Sequence, residues 1–204
     1  MIPFENVKVL IEGKHDPING KIIIGSTVTL IKGEKNVLVD TGGFANTDRI
    51  ITELEKEGLK PEEIDIVFLT HLHIDHSGNA NLFRNARILM KFTCSPYPGQ
   101  IQRPKEGTLE RTELVNGTEI IKDVKVIELP GHSIDLIGLI IESNKGKVVI
   151  ASDAISSEDW VNLDKKPMPF FYNAEEFEKS RKKVLEIADY IIPGHGKMFK
   201  VQKQ

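Results

Sequence analysis

The chain has one cysteine, Cys94, in 204 residues, so no disulfide can form within it. Stability has to come from packing, and the lone thiol fits a reducing compartment. No excess of basic residues is present either: the formal net charge is -3 and the isoelectric point about 6.1. This argues against a broad cationic surface of the kind that binds nucleic acid without sequence preference. No hydrophobic run approaches the length of a membrane span. The opening stretch from Met1 to Gly13 has no basic region followed by an apolar core, so no secretory leader is expected and a cytoplasmic location is. Asn116-Gly117-Thr118 fits a glycosylation acceptor but, without export, reads as a turn. What remains is ordinary globular composition, 40% hydrophobic and 28% charged. At this length one domain spanning 1–204 is expected.

Histidine is the exception. Six are present, and three of them fall in His71-Leu72-His73-Ile74-Asp75-His76. The hexapeptide follows the apolar run Ile64 to Leu69. Three imidazoles and a carboxylate buried together would carry a desolvation cost of roughly 1 to 3 kcal/mol per unpaired group, which a divalent cation removes. A polar loop whose histidines bond only to backbone is the plain alternative. Two further histidines stand in glycine turns, Pro130-Gly131-His132 and Pro193-Gly194-His195.

The spacing of apolar residues predicts strands over Lys21–Ile24, Thr27–Ile31 and Val37–Val39, paired with one another, then a helix from Asn46 or Thr47 to Gly58 with Ile50, Ile51 and Leu54 on one face. A buried strand over Ile64–Leu69, a short helix reaching Phe83 and a strand over Ala86–Met90 follow. Cys94 to Gly107 reads as a loop. A second series of strands is expected at Leu114–Val115, Glu119–Ile121, Val124–Leu129, Leu136–Ile141, Lys147–Ile150 and Tyr190–Ile192, with a helix over Ala174–Ala188. On that helix the run Lys179 to Lys183 reads as a solvated face. The aromatic stretch Ile155 to Asn173 reads either as a cap on the core or as a wall for substrate. Strand, helix, strand is an α/β layer pattern, and His71, Asp153 and His195 all follow strand ends, where such folds place their sites.

Two residues apart at a strand end, His71 and His73 can face one ion, with His132 as a third ligand. Asp75, His76 and His195 can hold a second ion, and Asp153 can bridge the two. Two divalent ions, zinc first and iron or manganese with the same donors, would then activate a bridging hydroxide. Asp75 is placed to orient that hydroxide or accept a proton. Asp40, before Thr41-Gly42-Gly43, can orient a metal-bound histidine from behind or serve simply as a turn residue.

His-x-His-x-Asp-His, followed by an isolated His, an Asp and a final Gly-His, resembles the metallo-β-lactamase superfamily over nearly the whole chain. The resemblance implies an α/β fold of the α+β kind, a four-layered αβ/βα sandwich with a dinuclear site at one edge. It assigns the ligand roles to His71, His73, Asp75, His76, His132, Asp153 and His195, and a supporting role to Asp40. Asp153 stands where β-lactamases of this fold commonly have Cys or Ser, which points away from penicillin hydrolysis and toward thioesterase, lactonase and nuclease branches. Eight residues follow Gly196, so no helical thioesterase domain is expected. Ser26 to Leu30, Asp40 to Gly43 and Lys179 to Gly196 are most similar to the compact group containing metallo-β-lactamase domain-containing protein 1, which is associated with RNA cleavage. The resemblance therefore implies a hydrolase acting on RNA phosphodiesters or on a small ester, thioester or lactone. An iron-dependent oxidoreductase is the remaining enzyme class, and a metal-stabilised binding module the alternative to an enzyme.

Overall fold

The computed structural model describes residues 1–18, 21–91, 93–96, 114–168 and 171–202. One six-stranded sheet holds β1 (Val7–Ile11), β4 (Val28–Lys32), β5 (Asn36–Val39), β6 (Ile66–Phe68), β7 (Arg87–Met90) and β8 (Thr93–Pro96), in that order. A second holds β14 (Phe199–Lys200), β13 (Tyr190–Pro193), β12 (Gly146–Ser152), β11 (Ile137–Ser143), β10 (Val124–Glu128) and β9 (Glu119–Ile121). Between β1 and β4 the chain makes a separate two-stranded ribbon, β2 (Lys14–Ile18) and β3 (Lys21–Gly25).

Alternation explains the layers. In β5, Val37 and Val39 enter the core between the sheets while Leu38 faces outward. In β12, Val148 and Ile150 point inward and Val149 and Ala151 outward. Both faces are apolar because both are covered, hence the near-continuous hydrophobic runs. Helix α1 (Thr47–Lys56) covers the first sheet with Ile50 and Leu54, and α3 (Ala174–Ile187) covers the second with Phe177 and Val184. The result is helix, sheet, sheet, helix: the four-layered αβ/βα sandwich.

Each helix links two parallel strands, α1 between β5 and β6, α3 between β12 and β13. Parallel pairing puts the carboxyl ends of β5, β6, β12 and β13 at one edge. There the sheets are cross-tied: Ile137 N donates to Thr70 O at 2.9 Å, and Thr27 N to Gly194 O at 2.7 Å.

Some expectations change. β3 pairs with β2 rather than β4, because Gly25 to Thr27 turn the chain from the ribbon into the sheet. Leu114–Val115 leads into the Asn116-Gly117 turn and is not a strand. The segment before Phe83 splits into a single helical turn, α2 (Ile74–Ser77), and a 3-10 turn at Ala80–Leu82. Cys94, Ser95 and Pro96 lie in β8 instead of a loop, and 97–107 falls outside the described residues. The Lys179 to Lys183 run is not wholly solvated: Ser180 and Arg181 are buried. Among the described residues no helix is long and apolar enough to cross a membrane.

Candidate metal centre

After β6 the chain runs through Leu69 and Thr70 into the hexapeptide. His73 then starts α2, its carbonyl accepting from His76 N at 3.0 Å and Ser77 N at 3.1 Å. That one turn swings Asp75 and His76 back beneath His71. Thr41 N holds the turn from the other side by donating to His76 O at 2.7 Å.

His132 is placed by α3. Gly131 has φ +134°, and a Cβ there would lie 2.2 Å from Phe177 N, so only glycine lets the helix pack so closely. Ser180 Oγ donates to Pro130 O at 2.7 Å, and Asn173 N to Gly131 O at 2.9 Å. His195 follows Gly194, where a Cβ would sit 1.8 Å from Asp153 Oδ1.

These turns bring all seven expected residues together. Donor atoms of His71, His73 and His132 form one group, Asp75, His76 and His195 another, and His71, His76 and Asp153 a third, each spanning no more than 4.8 Å. His73 Nδ1 lies 3.0 Å from both His71 Nε2 and His132 Nε2. Asp153 reaches both sides: Oδ2 is 3.2 Å from His132 Nε2, while Oδ1 is 3.2 Å from His195 Nε2 and 3.5 Å from His76 Nε2. Asp75 Oδ2 stands 3.7 Å from His76 Nε2 and 3.9 Å from His195 Nε2.

The outer nitrogens fix which ring atoms face inward. His76 Nδ1 meets Asp40 Oδ2 at 2.7 Å and His195 Nδ1 meets Gly25 O at 3.0 Å; both partners only accept, so both Nδ1 atoms carry protons in these bonds and both Nε2 atoms point to the centre. Asp40 also accepts from Thr70 N at 2.8 Å. It thus stands behind the histidines, and its φ of 58° also makes it a turn residue. Composition and spacing drew no attention to Thr70 or Gly25; their sole signal is adjacency to His71 and Ser26.

Burial lowers the His71 pKa well below its usual range, and the charge of His76 adds to this. For His76, burial also pulls downward, but Asp40, Asp153 and Asp75 together outweigh it and raise the pKa from 6.5 to about 9. Burial would raise Asp153, yet His195 and His76 hold it well below the usual carboxylate range. His132 is lowered, chiefly by burial.

The aromatic stretch divides. Trp160 is buried against Phe177, its ring 5.5 Å away, and caps the core. Phe171 lies edge-on to His132 at 4.8 Å, and Tyr172, 58% exposed, donates its backbone N–H to His132 O at 3.3 Å. Phe170 is outside the described residues.

Two stacked mixed sheets with this donor cluster at one edge define a metal-dependent hydrolase fold, and the metallo-beta-lactamase superfamily pattern matches residues 23–195: the chain belongs to that superfamily. It is 33% identical over 208 aligned residues to metallo-beta-lactamase domain-containing protein 1 of Xenopus laevis, covering 97% of this chain and 82% of that protein. It spans a smaller share, 60%, of the human protein of the same name. An N-acyl homoserine lactonase of Bacillus cereus is 32% identical over 114 residues, 52% of this chain and 45% of the relative. In structure, a mutant of B. thuringiensis AiiA with N-decanoyl-L-homoserine bound at its active site superposes with a TM-score of 0.67 at 20% identity, covering 93% of this chain and 92% of that one.

Proposed function

We propose that this chain is a dinuclear hydrolase of a small ester, thioester or lactone with an apolar acyl part. His71, His73 and His132 hold one divalent ion, Asp75, His76 and His195 the other, and Asp153 lies between them. The donors fit such ions: His76 Nε2 and Asp153 Oδ1 are buried without a hydrogen-bond partner, and both face the middle of the cluster. The all-nitrogen-and-oxygen set suits zinc first, and iron or manganese as well. When bound, two such ions lower the pKa of water toward about 7 and stabilise developing negative charge. The protein's own part is to hold Nε2 of His76 and His195 inward through Asp40 and Gly25. Asp75, half-buried at the mouth, orients water or takes its proton. Because both halves of the chain contribute donors, 1–204 acts as one domain, and the lone cysteine suits the cytoplasm.

The acyl assignment is carried by the mouth of the site. Ile24, Phe44, Leu72, Ile74, Ile134 and Tyr172 are all exposed, between 50% and 68%. Leu72, Ile74 and Ile134 are within two positions of a centre residue, Ile24 precedes Gly25, Phe44 follows the Gly43 that packs on Asp75, and Tyr172 binds His132 O. Exposed apolar side chains on the segments that carry the donors suit an apolar partner. The partial identity to a lactonase points the same way. A second reading, cleavage of RNA phosphodiesters, rests on the resemblance to the group associated with RNA cleavage.

Zinc-loaded protein offered p-nitrophenyl esters of increasing chain length, acyl lactones, thioesters and labelled single-stranded RNA separates the two. Ester or lactone turnover that rises with chain length and disappears in Asp153→Asn is expected. RNA cleavage lost in that variant, with no acyl turnover, overturns the acyl reading in favour of the second.

A further inference from the structure

Ser152, the last residue of β12, has φ 46° and ψ -137° and is 2% exposed. Side chains rarely adopt this backbone conformation, which glycine takes without strain. At the same point the β12–β13 register shifts between Ile150 and Ser152, turning the following residue, Asp153, toward the centre. A glycine would make that turn more easily, so the side chain calls for its own explanation.

Its hydroxyl supplies one. Ser152 Oγ lies 2.8 Å from Thr70 Oγ1, which is also 2.8 Å from Asp40 Oδ2 and 3.1 Å from His71 Nδ1. Thr70 has a single hydroxyl proton, and a carboxylate only accepts. The Thr70 proton therefore goes to Asp40, and Thr70 Oγ1 accepts from both His71 Nδ1–H and Ser152 Oγ–H. That arrangement puts the His71 proton on Nδ1 and leaves Nε2 for the cluster. It also ties Thr70, and through it Asp40, to the strand that carries Asp153.

We propose that Ser152 is a positioning residue, held in a glycine-type backbone conformation so that its hydroxyl, through Thr70, fixes the tautomer and ring plane of His71 and strengthens ion binding there. The inference rests on the centre being a metal site. Groups that orient a metal-bound histidine typically change metal affinity 10- to 100-fold when removed.

The test is Zn2+ binding by chelator competition, with elemental analysis of stoichiometry, on the full chain and on Ser152→Gly, Ser152→Ala, Thr70→Val and the Ser152→Gly/Thr70→Val double variant. Melting of each metal-free protein is recorded alongside. Relief of strain should raise the metal-free melting temperature of Ser152→Gly by about 2–4 °C. Its Zn2+ affinity should nonetheless fall by about tenfold or more. Ser152→Ala, which keeps the strained backbone, should show the affinity loss without the gain in melting temperature. The double variant should bind Zn2+ no worse than Thr70→Val alone, since one hydroxyl acts through the other. Wild-type affinity in Ser152→Gly and Ser152→Ala, with two zinc ions bound to the parent, overturns the role of Ser152 alone. A parent protein that binds no Zn2+ overturns the metal-site reading and this inference with it.

Discussion

The two halves of the molecule build their edge from the same parts. Each has an antiparallel hairpin, a strand end with positive φ, a covering helix and a parallel return strand: β4, β5, α1 and β6 in one, β11, β12, α3 and β13 in the other. In the first the positive-φ residue is itself the aspartate, Asp40 at φ 58°; in the second it is Ser152 at 46°, and the aspartate comes one residue later. That single step decides what each carboxylate does. Asp40 stays behind the histidines, 2.7 Å from His76 Nδ1; Asp153 is carried forward to lie 3.5 Å from Nε2 of the same ring. His76 is thus hydrogen-bonded to Asp40 at Nδ1, while Asp153 faces its Nε2 without a hydrogen bond. Position along a turn, more than residue type, sets which side of His76 each carboxylate faces.

From that contrast, the two aspartates should fail differently. Asp153→Asn should lower turnover on the order of 10^3-fold, roughly 4 kcal/mol, and remove at least one bound ion, as steady-state kinetics and elemental analysis would show. Equal loss from Asp40→Asn would erase the distinction; the expected loss there is a 10- to 100-fold weaker Zn2+ affinity with both ions still bound at saturation. Gly194→Ala probes the second half sterically: its Cβ would collide with Asp153, so chemical denaturation should show about 1–3 kcal/mol less stability together with impaired ion binding.

Proton competition sharpens the same contrast at His76. Its pKa of about 9 means that below this pH an ion must displace a proton, so Zn2+ affinity at the Asp75, His76 and His195 group should fall by up to about tenfold per unit as pH drops. Asp40→Asn should flatten that slope near pH 8, which binding titrations at several pH values would reveal. Where no donor atom is touched, effects should be small. Glu128 is hydrogen-bonded to Lys91, which lowers its pKa; the pair's contribution is present above the usual glutamate range and is lost as pH falls through the lowered value. Removing it with Glu128→Gln should cost about 0.2–1 kcal/mol at neutral pH and nothing in ion binding.

Sequence revealed the grouping at the edge far better than its support. His71, His73 and Asp75 announce themselves because imidazoles and carboxylates are rarely dense without reason, and glycine turns flag His132 and His195. The two-faced strands β5 and β12 were legible as apolar runs. Strands β1, β2 and β14 were not, since Val7 to Ile11 mixes lysine with aliphatics, Lys14 to Ile18 contains a proline, and Phe199–Lys200 is too short for any period. Thr70 and Ser152 carry no compositional mark: their importance lies in hydrogen bonds between halves far apart in sequence. Arg181 was misread for a related reason, its neighbours Lys179 and Lys182 being exposed while it turns inward.

Arg181 is fully buried and lies over the rings of Trp160 and Phe177. Its guanidinium donates to the carbonyls of Lys165 at 3.0 Å and Leu163 at 3.1 Å. Among the described residues this clasp hydrogen-bonds only to peptide carbonyls, which acid does not neutralise, and burial shields it from dissolved ions. The junction between α3 and the aromatic turn should therefore hold in strong brine and at low pH, where surface ion pairs such as Lys179 with Glu175 let go. Anyone adapting this scaffold to harsh media could leave that corner alone and spend substitutions elsewhere.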